Sequence, residues 1–167
     1  MAILFVVTGL GVGVYAFWQA THPPDDQSSA NQPTTACVFD IVQNAEVLTD
    51  PEAFKPDGDV TKLTFTDLEA GSGPAAKAGD CLNVKYYGTL ASSGETFDGN
   101  FSTPQALKFQ LGAGTVIPGW DEGLQGMKVG GLRRLVIPSE LAYQDQASGS
   151  IPANSDLVFV VKLLAIQ

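Results

Sequence analysis

"TVIPGWDEGLQGMKVGG", Thr115 to Gly131, decides how this chain folds. Pro118 suits the first position of a helix, where its missing N–H is no loss. Asp121 and Glu122 then fall in the first turn, where the helix dipole favours acids, and that placement is explanation enough for both carboxylates. Trp120, Leu124 and Met127 recur at intervals of four and three, so one face of the short helix is apolar. Gly123 and Gly126 remove side chains and let the helix sit close to a sheet. What needs explaining is the tryptophan, set beside Val116 and Ile117 at the helix entrance.

On both sides of this helix the sequence alternates in the manner of strands. "GDCLNVKYYGTL" puts Leu82, Val84, Tyr86, Gly88 and Leu90 on one face, "ALKFQLG" does the same for Leu107, Phe109 and Leu111, and "DLVFVVKLLAIQ" for Leu157, Phe159, Val161 and Leu163. "VTKLTFTDLEAGSG", "SSGETFDG" and "GLRRLVIP" supply further short strands and turns. The predicted architecture is α+β: a curved antiparallel sheet of about five to six strands wrapped around one short helix.

Ahead of this domain, which spans residues 60–167, three segments differ in composition. Residues 36–59 form an acidic extension in which "CVFDIVQNAEVL" predicts a short strand and "TDPEAFKPDGD" a loop. Residues 21–35, "THPPDDQSSANQPTT", read as a disordered polar tether. Residues 1–20 hold an apolar run with no Asp, Glu, Lys or Arg before Asp25. Its length lies between a signal-peptide core and a full membrane span, and it is expected to be a transmembrane anchor or a signal segment. A buried core helix is the alternative, but Gly9, Gly11 and Gly13 weaken a soluble helix. The acidic flank places the folded part outside the cytoplasm, because cationic flanks are the ones retained inside. Secretion after cleavage remains the other outcome.

Charge and residue inventory exclude several classes. Nine Lys and Arg stand against eighteen Asp and Glu, a formal charge of −9, so nucleic acid is a poor partner. The only histidine is His22, in the tether, which deprives Ser-His and Cys-His chemistry of its base. No glycine-rich phosphate loop follows a strand. Cys37 and Cys81 have neither CxxC spacing nor enough companions for zinc. A disulfide pinning the extension to the domain is the preferred reading, and two separate buried thiols the alternative. Neither metal nor cofactor is expected.

What remains is an aromatic and aliphatic set, and at these residues the sequence resembles the FKBP family of peptidyl-prolyl cis-trans isomerases, the immunophilins. "VKYYGTL", "GETFD", "KFQLGAGTVIPGWDEGLQGMKVGGLRRLVIP", "LAY" and "IPANSDLVFVVKLL" follow the family's order at nearly its spacing, over about Val60 to Gln167. The resemblance implies a hydrophobic cleft with Trp120 as floor, Tyr86, Phe97, Val116, Ile117, Ile151 and Phe159 as walls, and Asp98 and Tyr143 as polar rim. Leu107 and Phe109 are expected to contribute to substrate binding. It also implies that the backbone N–H of Ile117 holds a substrate carbonyl, and that Asp98 accepts a hydrogen bond from Tyr143 or from substrate. The alternative for Asp98 is that it only caps its turn.

Implied partners are proline-containing polypeptides and, weakly, macrolide immunosuppressants. The sequence departs from the family at Leu107, where many members have an aromatic residue, at Gln144, where glycine is usual, and at Ser150, where a second aliphatic often lies. The expected function is isomerisation of Xaa-Pro bonds that assists folding of exported or membrane proteins. The alternative is a catalytically weak proline-peptide binding module that recruits one extracytoplasmic partner.

Overall fold

The computed structural model describes Cys37 and residues 40–167. The apolar run over 1–20 and the tether over 21–35 lie outside the described residues. Among the described residues no helix is long and apolar enough to cross a membrane. The described residues fold as one unit.

Its strands are β1 (Asp40–Val42), β2 (Thr64–Glu69), β3 (Cys81–Leu90), β4 (Thr96–Gly99), β5 (Ala106–Gln110), β6 (Leu132–Ile137) and β7 (Leu157–Ile166), with helix α1 (Pro118–Gly123) between β5 and β6 and a 3-10 turn over Ser139–Leu141. All pairings are antiparallel, in the order β1-β5-β3-β7-β6-β2, and β4 also pairs with β3. The segment from residue 60 onward thus contributes six strands and one short helix, as its pattern predicts. The extension adds β1 as a seventh.

The long central strands β3 and β7 are rich in β-branched and aromatic residues, which pack well on a pleated surface. Leu82, Val84, Phe109, Leu111, Leu135, Ile137, Leu157, Val161 and Leu163 are completely buried between the sheet and α1. Each such side chain contributes roughly 1.5–3 kcal/mol relative to exposure. The helix lies close to β6 because Gly119 and Gly123 face it. A Cβ added at Gly123 would come within 2.8 Å of Leu135 Cδ2, and one at Gly119 would collide with Ile137 Cγ2. The helix is shorter than its apolar spacing suggests: Leu124 is its C-cap and Met127 lies in the turn beyond, yet both remain buried.

One expectation from alternation fails on β3. Leu82 and Val84 face the core as predicted, but Asn83 and Lys85, on the other face, are buried too. For Lys85 the cause is a division of labour along one edge of the strand. β5 pairs with Cys81–Val84 and β4 with Tyr87–Thr89, so the two partners part company at Lys85 and Tyr86. Asn100 closes the gap: its Oδ1 accepts from the Tyr86 N–H at 2.7 Å, and its own N–H donates to the Tyr86 carbonyl at 2.9 Å. Lys85 Nζ donates to the carbonyls of Asn100 (3.0 Å) and Thr103. The extension backs the same loop, with Ala45 N–H donating to Pro104 and Leu48 N–H to Phe101, both at 2.8 Å. Cys37 and Cys81 are joined as a disulfide, their Cα atoms 5.5 Å apart.

Candidate active site

Trp120 is placed by three constraints acting together. Pro118 starts the helix, the Trp120 N–H donates to the Ile117 carbonyl at 2.9 Å, and the glycines on either side seat the helix against β6. The indole therefore points across the sheet rather than into solvent and is 4% exposed. Its Nε1 is buried without a hydrogen-bond partner among the described residues, so what the ring offers is apolar surface.

Three other rings pack against it, and a fourth packs on one of those. Phe159 stands edge-on at 5.2 Å between centroids, Tyr86 at 5.4 Å, and Phe109 is tilted behind it at 5.6 Å. Phe97 packs edge-on against Phe159 at 5.5 Å. Such T-shaped contacts set the positive edge of one ring against the negative face of another, which fixes their angles as well as their distances. All of these rings but Phe109 line a cavity of about 220 Å³, together with Asp98, Leu107, Thr115, Val116, Ile117 and Tyr143. A larger hollow of about 440 Å³ lies between the extension and residues 91–92 and 154–156, but Lys55, Asp59, Asn154 and Asp156 make it a polar one.

The polar rim is built on one hydrogen bond. Tyr86 Oη donates to Asp98 Oδ2 at 2.7 Å, while Asp98 Oδ1 accepts from the Gly99 N–H at 2.8 Å. The expected donor to Asp98 was Tyr143 or substrate; the one present is Tyr86, because β3 and β4 pair at Gly88 and Asp98 and so bring the two side chains to one edge. The Gly99 bond joins neighbouring residues within β4, so the alternative expected for Asp98, that it only caps its turn, does not describe what it does here. Burial pushes the Tyr86 hydroxyl well above its ordinary pKa, and the bond to Asp98 and the charges of Asp98 and Tyr143 push the same way. Tyr143, 37% exposed across the rim, is raised by burial first and the Asp98 charge second. Both tyrosines are neutral donors at neutral pH.

Of the residues singled out in the sequence, the cavity brings together Tyr86, Phe97, Asp98, Leu107, Val116, Ile117, Trp120, Tyr143 and Phe159. Ile151 and Phe109 are buried in the core instead, Ile151 in a bridge with Ser148 and Phe109 behind the indole. Thr115 lines the cavity and was not singled out. A polar residue ahead of Val116 carries no apolar-pattern signal, and only its place in the loop entering α1 could have pointed to it. Among the described residues no group of three or more His, Cys, Asp or Glu converges on a metal site.

A family model described as FKBP-type peptidyl-prolyl cis-trans isomerase matches residues 73–164. The chain belongs to this family. An FK506-binding protein of Streptomyces anulatus is 46% identical over 119 residues, covering 70% of this chain and 96% of the relative. FK506-binding protein 4 of Aspergillus fumigatus is 48% identical over 109 residues, 65% of this chain but 22% of that protein. Among solved structures, FkpA from Escherichia coli superposes with a TM-score of 0.58 at 46% identity, covering 64% of this chain and 49% of its own. This FKBP-type isomerase therefore matches nearly the whole Streptomyces protein but about half or less of the other two. The matched region contains every residue that lines the aromatic cavity.

Proposed function

We propose that this isomerase binds proline-containing segments of polypeptides in the aromatic cavity and accelerates rotation about the Xaa-Pro bond, acting outside the cytoplasm on exported or membrane proteins. The observation that carries the reading is the cavity itself, with Trp120 as floor and Tyr86, Phe97, Val116, Ile117 and Phe159 as walls. A proline ring is flat and apolar, and an indole is the broadest apolar side chain that can receive it.

The bond to be rotated has a barrier of about 18–20 kcal/mol because resonance makes its C–N bond partly double. The twisted transition state has lost that resonance and is less polar, so a cavity that excludes water favours it over the planar amide. The Ile117 N–H, at the helix N-cap, is not used by the helix's own ladder and would hold a substrate carbonyl. Asp98 fixes the Tyr86 hydroxyl as part of the rim. No proton transfer and no covalent step is needed, and neither Asp98 nor Tyr143 acts as acid or base. Macrolides of the FK506 class would enter the same cavity, weakly because Leu107 replaces an aromatic wall.

Membrane anchoring or export rests on the uncharged run over 1–20 and the acidic tether behind it. Leu107 on the cavity wall favours a second reading, a binding module with little turnover. A coupled assay of cis-trans isomerisation on a short Xaa-Pro peptide separates the two: turnover above the uncatalysed rate supports the enzyme, and saturable binding without it supports the module. Recovery of the intact chain in soluble cytoplasm would overturn the anchored placement.

A further inference from the structure

Thr115, Val116 and Ile117 reach the cavity on a loop that its own packing hardly holds. Gly112, Ala113, Gly114 and Thr115 are all exposed, Gly112 and Gly114 take φ of 78° and 67°, and a Cβ at Gly114 would meet nothing within 4 Å. Such a segment pays full conformational entropy for being ordered and buries little in return.

One side chain spans it. Asp121, on α1 directly after Trp120, turns back so that Oδ1 accepts the Gly112 N–H at 2.7 Å and Oδ2 the Gly114 N–H at 3.0 Å. The carboxylate is thus bidentate toward two backbone donors of the loop, while the Asp121 N–H donates to the Ile117 carbonyl at 3.3 Å. The helix dipole would be satisfied by a negative charge anywhere in the first turn. It does not require both oxygens to be aimed at a loop.

We propose that Asp121 is a positioning residue, a clasp by which the helix that supplies the cavity floor also fixes the wall formed by Thr115, Val116 and Ile117 opposite Tyr86 and Asp98. The inference rests on the isomerase reading of the cavity. It acts through the fraction of molecules whose wall stands in place: where that fraction falls, apparent affinity falls with it and the chemical step does not.

The test compares Asp121→Ala and Asp121→Glu with the parent protein, measuring KM and kcat separately for a short Xaa-Pro peptide, together with amide hydrogen exchange. Removing two hydrogen bonds to a charged acceptor should raise KM about tenfold in Asp121→Ala, leave kcat within about twofold, and speed exchange at Gly112 and Gly114 at least tenfold. Asp121→Glu, which keeps two acceptor oxygens, should recover most of both effects. If Asp121→Ala does not fold, the isosteric Asp121→Asn takes its place with a smaller change in the same direction. Unchanged exchange at Gly112 and Gly114 overturns the clasp, as does faster exchange with an unchanged KM, or exchange that quickens equally throughout the protein. Absence of turnover in the parent would instead sink the reading of the cavity, and the clasp would then be decided by exchange and by the peptide's dissociation constant.

Discussion

The two faces of β3 are both buried, but by different means. Toward the helix, Leu82, Val84 and Tyr86 meet Trp120, Phe159 and the rest of an apolar core, and the packing is continuous. On the far face, Lys85 is covered by the loop over Asn100–Thr103, with the extension behind that loop, and what holds the layers together is a set of hydrogen bonds to main-chain atoms, while Asn83 is buried with its Oδ1 unpartnered among the described residues. The first arrangement makes an active surface and the second makes a brace. A substitution on the helix face should therefore lower turnover as well as stability, and one on the far face stability alone.

The largest effect is expected on the helix side. Trp120→Ala removes the cavity floor and should lower kcat/KM by more than about tenfold, with a stability loss of about 3–5 kcal/mol from the cavity left behind. Activity must be scored per folded molecule, with circular dichroism to count them. Phe159→Ala should follow the same pattern less severely. Near-normal turnover in folded Trp120→Ala would erase the distinction between the faces.

On the braced side, Lys85→Ala should cost about 2–4 kcal/mol in urea unfolding, since it leaves two carbonyls unpaired and a void where a long side chain lay. Its effect on kcat/KM should stay within about threefold. A loss of turnover without a loss of stability would show that the brace reaches the cavity directly.

The two faces also differ in how they respond to alkali. Tyr86 and Tyr143 hold their protons more tightly in the folded state than in the unfolded one, where the ordinary value is 10.0. Stability from this source is complete below that value and falls as pH rises through it, because the unfolded chain then releases protons that the folded chain keeps. Lys85 has the opposite sign. Burial lowers its pKa, partly countered by Glu46, so the cost of keeping its charge buried is present at neutral pH and is relieved as pH rises toward 10.5. Thermal melts from pH 8 to 11 should show stability falling more steeply with pH in Lys85→Met than in the parent, and less steeply in Tyr86→Phe. Between about pH 5 and 8, kcat/KM should show no bell-shaped profile, in the parent or in Asp98→Asn.

The smallest effect is expected at Gln144, where glycine is usual in the family. The residue takes φ of 56°, a left-handed conformation that costs a side chain about 1–2 kcal/mol. Gln144→Gly should recover part of that, roughly 0.5–1 kcal/mol after the entropy gained by the unfolded glycine. Differential unfolding would detect it. No gain would mean that the side-chain bond from Gln144 Nε2 to the Glu140 carbonyl at 3.3 Å compensates.

The helix side was legible in the sequence because it is written in apolar residues at regular intervals. Leu82, Val84, Tyr86, Leu107, Leu157 and Phe159 alternate, and Pro118 with Trp120 announces the helix. The brace was not legible, because Lys85 looks like a solvent-facing residue until a loop from another part of the chain covers it. The same blindness applied to Asp121, whose position in the first turn suggested a charge effect while its two oxygens serve a loop seven and nine residues earlier. Thr115 escaped for want of any period. The partner of Asp98 was missed because strand register, which sets Tyr86 rather than Tyr143 within bonding reach, is a property of pairing and not of either strand alone.

The link between Cys37 and Cys81 gives the fold a defined load path. Tension applied to the chain ahead of Cys37 passes through the covalent bond directly into β3 at Cys81, and the segment between the two cysteines, with β1 and β2 in it, is shunted out of the circuit. Cys81 also exchanges backbone bonds with Gln167, N–H to carbonyl at 3.3 Å and 2.9 Å, next to the pairing of β3 with β7. A pull from the N-terminal side is therefore delivered to an internal strand with neighbours along both edges, and the peripheral strands β1 and β2 are spared from being peeled away one by one.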